Sequence, residues 1–459
     1  MSRWSTPPAR RAEFMARVGE VAHITDHALE VEYLEGALRL YESLGNVEAA
    51  AEMHSRLGSA LSLVSTVWNI PLALEHFRKA EAVLHDGPES ASLGRLYVGI
   101  ALVSEQVVDV GRGLAASARA MEIGRHIGDE LIWVQASVQH ATYLLRSGRL
   151  RESYALFDEA WPKADRLNDG ASAAWLGGYA RLALRDPLGA QPWYRRELAK
   201  PRMGQATFWR LILEGSVAIA CAVAGEHREA ADLASRSPSP LVQGWALFNA
   251  GDWDNAESIL TQGLNGSLRT DSRDEVFNYR FILAQVLWAR QRYERAEAML
   301  EEAVRICPDG RHQLWDMTAR PDLALFCVRI GKLARAAEHL AQCRKIISAG
   351  EDWRGLCGAL ARAEAVLAAA EQRKNEAQAN FEEAIGIFRR YHLPIEEIIT
   401  LIECGRSLDG AGDHDGAVEK FDMALEICRH FDIKNQWTEL VSGARGRGDK
   451  AQRKREGDS

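Results

Sequence analysis

A chain of 459 residues with 47% hydrophobic and 26% charged side chains has the makeup of an ordinary folded protein rather than a disordered or fibrous one. No run approaches the roughly 18 consecutive apolar residues of a membrane span, and the opening MSRWSTPPARRAEF lacks the apolar stretch of a signal peptide, so the expectation is a cytoplasmic protein with no membrane contact. The net charge is -8, and with the basic ends set aside about -13 falls on the body, which argues against nucleic acid as its partner.

In chain order, residues 1–24 read as a lead-in helix, and a helix pair from about Ala9 to Leu44 opens the body. The LGN at Leu44 to Asn46 ends the second helix, and similar breaks recur as IGD at Ile127 to Asp129 and LND at Leu167 to Asp169. Glycine or asparagine accepts the left-handed turn there, and aspartate caps the helix that follows. Inside the pairs, SGR at Ser147, AGD at Ala250 and Ala411, and IGK at Ile330 mark the turn from first to second helix. Residues 25–185 thus form a first run of helix pairs and 243–440 a second.

Between them, residues 186–242 depart from the pattern. Pro187, Pro192 and Pro201 fall close together, so the second helix of that pair is expected to start at Pro192 and last only to about Lys200. The following unit is compressed, with SRSPSP at Ser235 to Pro240 cutting a helix short. Residues 441–459, GARGRGDKAQRKREGDS included, carry no apolar set able to build a core and read as a basic disordered tail.

One unit recurs through the body. Ala37, Ala80, Ala120, Ala160, Lys200, Ser237, Gly263, Ala303, Cys343, Ala384 and Ala424 occupy equivalent positions, at spacings near 40 residues except for the 26 between Ser237 and Gly263. Seven residues before several of them stands another small residue, as at Gly113, Ala256, Ala296, Ala336 and Ala417, with a large apolar residue between, as at Leu260, Leu300, Leu340 and Phe421. Small, large, small at i, i+4 and i+7 lie on one helical face, where the small residues admit a neighbouring backbone and the large one fills the hollow. Together with Tyr293 opening a second helix and Pro308 closing the unit, this resembles the tetratricopeptide pattern. The fold expected is all-α: an α-solenoid of about eleven such pairs in a right-handed superhelix kinked near the middle, stabilised mainly by nearest-neighbour interfaces.

The linker RHIGDELIW (Arg125 to Trp133), the turns AGDWDNAESIL and AGDHDGAVEKF, and NFEEAIGIFRRY (Asn380 to Tyr391) are similar to the helical repeats of MalT-like, LuxR-type regulators and of cyclase-linked signalling ATPases. That resemblance implies a sensor or docking module in bacterial signalling or transcription, with a protein or peptide, an ATPase, cyclase or regulator, or a small effector as partner. No ATPase, cyclase or helix-turn-helix segment is present to carry over catalytic residues.

Signatures of catalysis are missing: no P-loop, H-E-x-x-H, G-x-S-x-G or strand-linked G-x-G-x-x-G occurs, and GDHDG at Gly412 to Gly416 falls on a repeat turn. The seven cysteines form no C-x-x-C pair and read as small hydrophobes, so no metal or cofactor is expected. The chain is expected to be no enzyme; the alternatives are a stand-alone structural adaptor and an enzyme built on a helical array. Trp133, Trp175, Trp209, Trp315, Trp353 and Trp437 share an address near the start of a first helix, which suits seam packing. Projecting the first helices onto the repeat places Gln135, Arg146, Trp175, Arg185, Trp245, Asn249, Asn278, Gln285 and Trp288 on the inner face, and these nine form the candidate binding groove.

Overall fold

The computed structural model describes residues 7–22, 26–63, 69–201, 207–307, 311–433 and 435–457. The chain is 84% helical, and among the described residues there are 23 helices and no strand. They fall into two compact units, Met1–Leu176 with Lys200–Arg210 and Gly266–Glu275, and Gly177–Ala199 with Leu211–Asn265 and Val276–Ser459.

The first unit holds α1 (Pro8–Ala22), α2 (His27–Ser43), α3 (Val47–Leu63), α4 (Ile70–Leu84), α5 (Ala91–Gln106), α6 (Val110–Ile127), α7 (Glu130–Arg146), α8 (Leu150–Arg166) and the start of α9 (Gly170–Leu182). The second holds α10 (Pro187–Leu198), α12 (His227–Arg236), α13 (Pro240–Ala250), α16 (Tyr293–Val304), α17 (Gln313–Arg329), α18 (Leu333–Ile347), α19 (Gly355–Ala370), α20 (Lys374–Arg390), α21 (Pro394–Gly410), α22 (His414–His430) and α23 (Gln436–Gly457). The end of α9 and most of α11 (Thr207–Ala224), α14 (Trp253–Thr270) and α15 (Arg273–Ala289) also belong to it.

Helices pack in sequential pairs, and the first helices of successive pairs also pack on one another: α3, α5 and α7 in the first unit, α17, α19 and α21 in the second. The turns between them follow the local chemistry. Gly128, at φ +72°, ends α6 in the left-handed conformation, and Asp129 Oδ1 accepts the amide of Ile132 at 3.0 Å to start α7. Gly251, at φ +86°, and Asp252 do the same between α13 and α14. Asn168, Gln291, Gln372 and His392 take positive φ at equivalent turns without being glycine, a modest backbone strain that the packed helices on either side must hold.

The small, large, small face is the seam of each pair. Ala256 and Leu260, Ala296, Leu300 and Ala303, and Ala336, Leu340 and Cys343 are all fully buried. Gly113 shows how close the approach is, since a Cβ added there would lie 2.0 Å from Cζ of Tyr143, whose own hydroxyl donates to the Ala101 carbonyl at 2.5 Å.

In the middle of the chain α10 starts at Pro187, not at Pro192. Asp186 caps it by accepting the Gly189 amide at 2.9 Å, and Pro187 sits in the first turn, where its missing N–H costs nothing. Pro192 is carried inside this helix, which ends at Leu198. Helix α12 stops at Arg236, ahead of Ser237–Pro240. At the other end the backbone of α23 is helical to Gly457, across the stretch whose composition suggests a disordered tail; its Ala, Gln, Lys and Arg residues favour local helix.

Nearest-neighbour contacts are not the whole of the second unit. Trp437, on α23, stacks edge-on against Phe248 at 5.4 Å and Trp253 at 5.0 Å, and its Nε1 donates to the Phe248 carbonyl at 2.9 Å. Gln436 accepts the Trp253 amide at 2.7 Å and donates its own amide to Gly251 at 3.3 Å. Arg354, before α19, pairs with Asp186, before α10. Gly225 lies against Phe431 and Pro394, which a Cβ would meet at 2.6 and 2.9 Å. These joins link residues separated by 168 to 206 positions, so the unit is stabilised across the array as well as along it.

Candidate interaction surface

The layer of first helices carries the polar residues that the sequence singles out, and in each unit part of that layer is used internally. In the first unit, Arg146 at the end of α7 is 1% exposed and pairs through Nη2 with Glu105 of α5 and with Asp274 Oδ1 at 3.1 Å. Burial pushes both carboxyls above their ordinary range while the guanidinium pulls them back. Gln135 is half-buried on α7. Trp175 is half-buried on α9 and heads an aromatic series: its ring lies 6.3 Å from Trp209, which meets Phe208 edge-on at 5.4 Å, which in turn meets His27 at 5.7 Å.

In the second unit two of the candidates, Arg185 and Gln285, converge on a residue the sequence reading missed. Asp322 of α17 is 2% exposed and accepts from Arg185 Nη2 at 3.2 Å, Gln285 Nε2 at 2.9 Å and Arg362 Nη2 at 2.8 Å. Arg362 of α19, itself 1% exposed, donates through Nη1 to Glu396 Oε2 at 2.5 Å, and Glu396 Oε1 lies 2.8 Å from Arg185 Nη1. The four charges close an alternating ring, Arg185–Asp322–Arg362–Glu396, with no net charge. Burial alone raises the Glu396 carboxyl, but Arg185 and Arg362 outweigh it and hold that group below its ordinary range. For Arg362 burial works downward and the two carboxylates win, leaving it raised.

The remaining candidates divide. Trp288 is 2% exposed and belongs to the core of α15, and Asn249 is buried with its Nδ2 donating to the Trp245 carbonyl at 2.9 Å. Neither presents a surface to a partner. Trp245 is half-buried beside Phe281, ring centroids 6.4 Å apart, and Asn278 is half-buried on α15. The accessible members of the set are therefore Gln135 and Trp175 in one unit and Trp245 and Asn278 in the other.

A sequence signal for the missed acids does exist. Asp322 and Arg362 stand 40 residues apart and Glu105 and Arg146 stand 41 apart, opposite charges at one repeat period on successive first helices.

The one group among the described residues with metal-ligand geometry is Cys221, Glu226 and Glu229. Its chemistry argues for structure: burial, then the two glutamates, push the Cys221 thiol well up, away from the thiolate a metal needs. Glu229 is held at 2.7 Å by Arg195, and Glu226 accepts from Gln191 at 3.0 Å.

Residues 277–309 match the tetratricopeptide repeat family. The chain is similar in fold to the solved APC/C hetero-tetramer Cut9-Hcn1, at 12% identity and a TM-score of 0.52 over 91% of this chain and 88% of that one. A Rap protein complexed with Competence and Sporulation Factor aligns at 11% identity and TM-score 0.43 over 83% of this chain and 98% of that one. A Signal Transduction ATPase with Numerous Domains carrying a tetratricopeptide repeat sensor, from Pyrococcus horikoshii, aligns at 13% and 0.35 over 72% and 47%. No curated protein matches the sequence.

Proposed function

We propose that the chain is a non-catalytic docking scaffold of tetratricopeptide type, in which half-buried aromatic and amide side chains on the first helices take a protein segment. The observation that carries this reading is the separation within the candidate set. Arg146, Arg185 and Gln285 are consumed by internal ionic contacts, while Trp175 and Trp245 keep part of their rings accessible without serving as core. Partly exposed tryptophans with an apolar body and amide neighbours are the kind of residue that dominates protein recognition. Gln135, with Trp175 in the first unit, and Asn278, with Trp245 in the second, would supply directional hydrogen bonding.

The wider role we propose is regulatory, in bacterial signalling or transcription within the cytoplasm, with a signalling ATPase, cyclase or regulator as the partner bearing the segment. Its support is the similarity of the 125–133 linker and of the 40-residue unit to repeats of MalT-like regulators. Residues 25–185 and 243–440 would be the docking portions, with 186–242 the irregular stretch between them.

The test is selection of peptides from a displayed library against the intact chain, followed by affinity measurement with Trp175→Ala and Trp245→Ala. A selected peptide should lose roughly tenfold or more in affinity with at least one variant while both keep the parent circular dichroism spectrum. Peptides that bind both variants as tightly as the parent would remove this face from the model.

A further inference from the structure

The charge ring of the second unit is balanced, but a neighbouring cluster on the same helices is not. Glu403 of α21 is completely buried and lies between Arg329, at the end of α17, and Arg406, one turn further along α21; among the described residues it is the one carboxylate that pairs with either of them. Arg406 Nη1 lies 3.0 Å from Glu403 Oε1 and donates to the Tyr293 hydroxyl at 3.1 Å, at the start of α16. Two positive charges thus share one negative charge. The Arg329 Nε is buried and has no hydrogen-bond partner among the described residues. The side chains of Arg329 and Arg406 remain 21% and 15% exposed as a whole, while Nε of Arg329 itself is enclosed.

We propose that Arg329, Arg406 and Tyr293 form a binding site for an oxyanion, a phosphate or carboxylate group, that completes the charge balance Glu403 leaves unfinished. Guanidinium groups present forked donors matched to such oxygens, and Tyr293 adds a hydroxyl donor at the edge. Burial, and then the nearby charge of Arg406, pull Arg329 down to about 10, so it carries its proton at neutral pH while being short of compensating charge. Arg362 gives the contrast: that guanidinium is more deeply enclosed, yet with two carboxylates beside it, it is raised. An uncompensated half-buried cation is costly, and the least expensive remedy is a bound anion rather than deprotonation of arginine.

The site stands independently of the peptide-docking surface, because it uses none of Gln135, Trp175, Trp245 or Asn278. It is tested by titrating the full chain calorimetrically, at low ionic strength and pH 7, with inorganic phosphate and separately with acetate. The result expected is saturable binding of one ion per chain, weakened about tenfold or more in Arg329→Gln and severalfold in Tyr293→Phe. The stronger of the two probes identifies whether the natural group is phosphate or carboxylate. Tyr293→Phe removes one hydroxyl and keeps every charge, so it remains informative if Arg329→Gln folds poorly. Absence of saturable heat with both probes, or affinities equal in the parent and in both variants, overturns the proposal.

Discussion

Replacing Asp322 by alanine probes the ionic ring most directly. The carboxylate is held by two guanidiniums and one amide at 2.8 to 3.2 Å, and its loss leaves Arg362, 1% exposed, and Arg185, 9% exposed, with Glu396 as their shared acid. All three hydrogen bonds run to a carboxylate and contribute about 1.5 to 3 kcal/mol each, so the gross loss is roughly 4.5 to 9 kcal/mol. Glu396 still pairs with both arginines, which brings the net cost to the roughly 3 to 5 kcal/mol seen when one partner of a buried pair is removed. Urea unfolding of the parent and variant measures this, with hydrogen exchange of the α17 and α19 amides showing whether the loss is confined to those helices. Asp422→Ala serves as the comparison, because its pair with Arg445 is at the surface and should matter by no more than about 1 kcal/mol. An Asp322→Ala variant within about 1 kcal/mol of the parent would show that the ring is an incidental arrangement and not a structural tie.

Truncating Trp288 to alanine should cost about 3 to 5 kcal/mol in the same urea assay, since its ring is enclosed; an unchanged midpoint would return it to the accessible face. Gly113→Ala places a methyl against Tyr143, which is buried and tethered to Ala101, so about 1 to 3 kcal/mol should be lost; equal stability would mean that the α6–α7 seam is looser than described. The buried His54–His76 pair, Nδ1 to Nδ1 at 2.7 Å, gives a pH dependence. Burial, followed by the charges of His54 and Lys79, lowers His76 to about 4, while Glu75 works the other way. The folded state therefore binds fewer protons than the unfolded one between about pH 6.5 and 4, so stability is full above 6.5 and falls through that window by about 1 to 3 kcal/mol. Subtracting the pH profile of His76→Gln from that of the parent isolates this fall from the titration of carboxylates, and a flat difference would refute it.

The helix pairs and their seam were legible because they repeat. Ala296, Leu300 and Ala303 could be placed in the core from spacing alone, and Gly128 with Asp129 announced its turn by local chemistry. Trp288 was misplaced on the inner face for a reason also visible in the sequence. FILAQVLWA, Phe281 to Ala289, is apolar apart from Gln285 and is buried at every position, whereas projection onto one wheel assumes a helix with an open side. The Trp437 joins to Phe248 and Trp253, and the meeting of Arg185 with Asp322, had no such signal. They unite residues 137 to 189 positions apart that share no motif, and only the packed array brings them together.

The alternation of charge at one repeat period has a consequence for how such a chain can change. Every helix pair presents nearly the same small, large, small face, so packing alone would tolerate a pair seated one place out of step. In the second unit that slip would bring Arg362 into the seat of Asp322, guanidinium against the guanidinium of Arg185, with Gln285 facing a donor instead of an acceptor. The ring therefore numbers the pairs, giving order to elements that the seam treats as interchangeable. Loss of the single 40-residue pair that carries Asp322 would produce that mismatch.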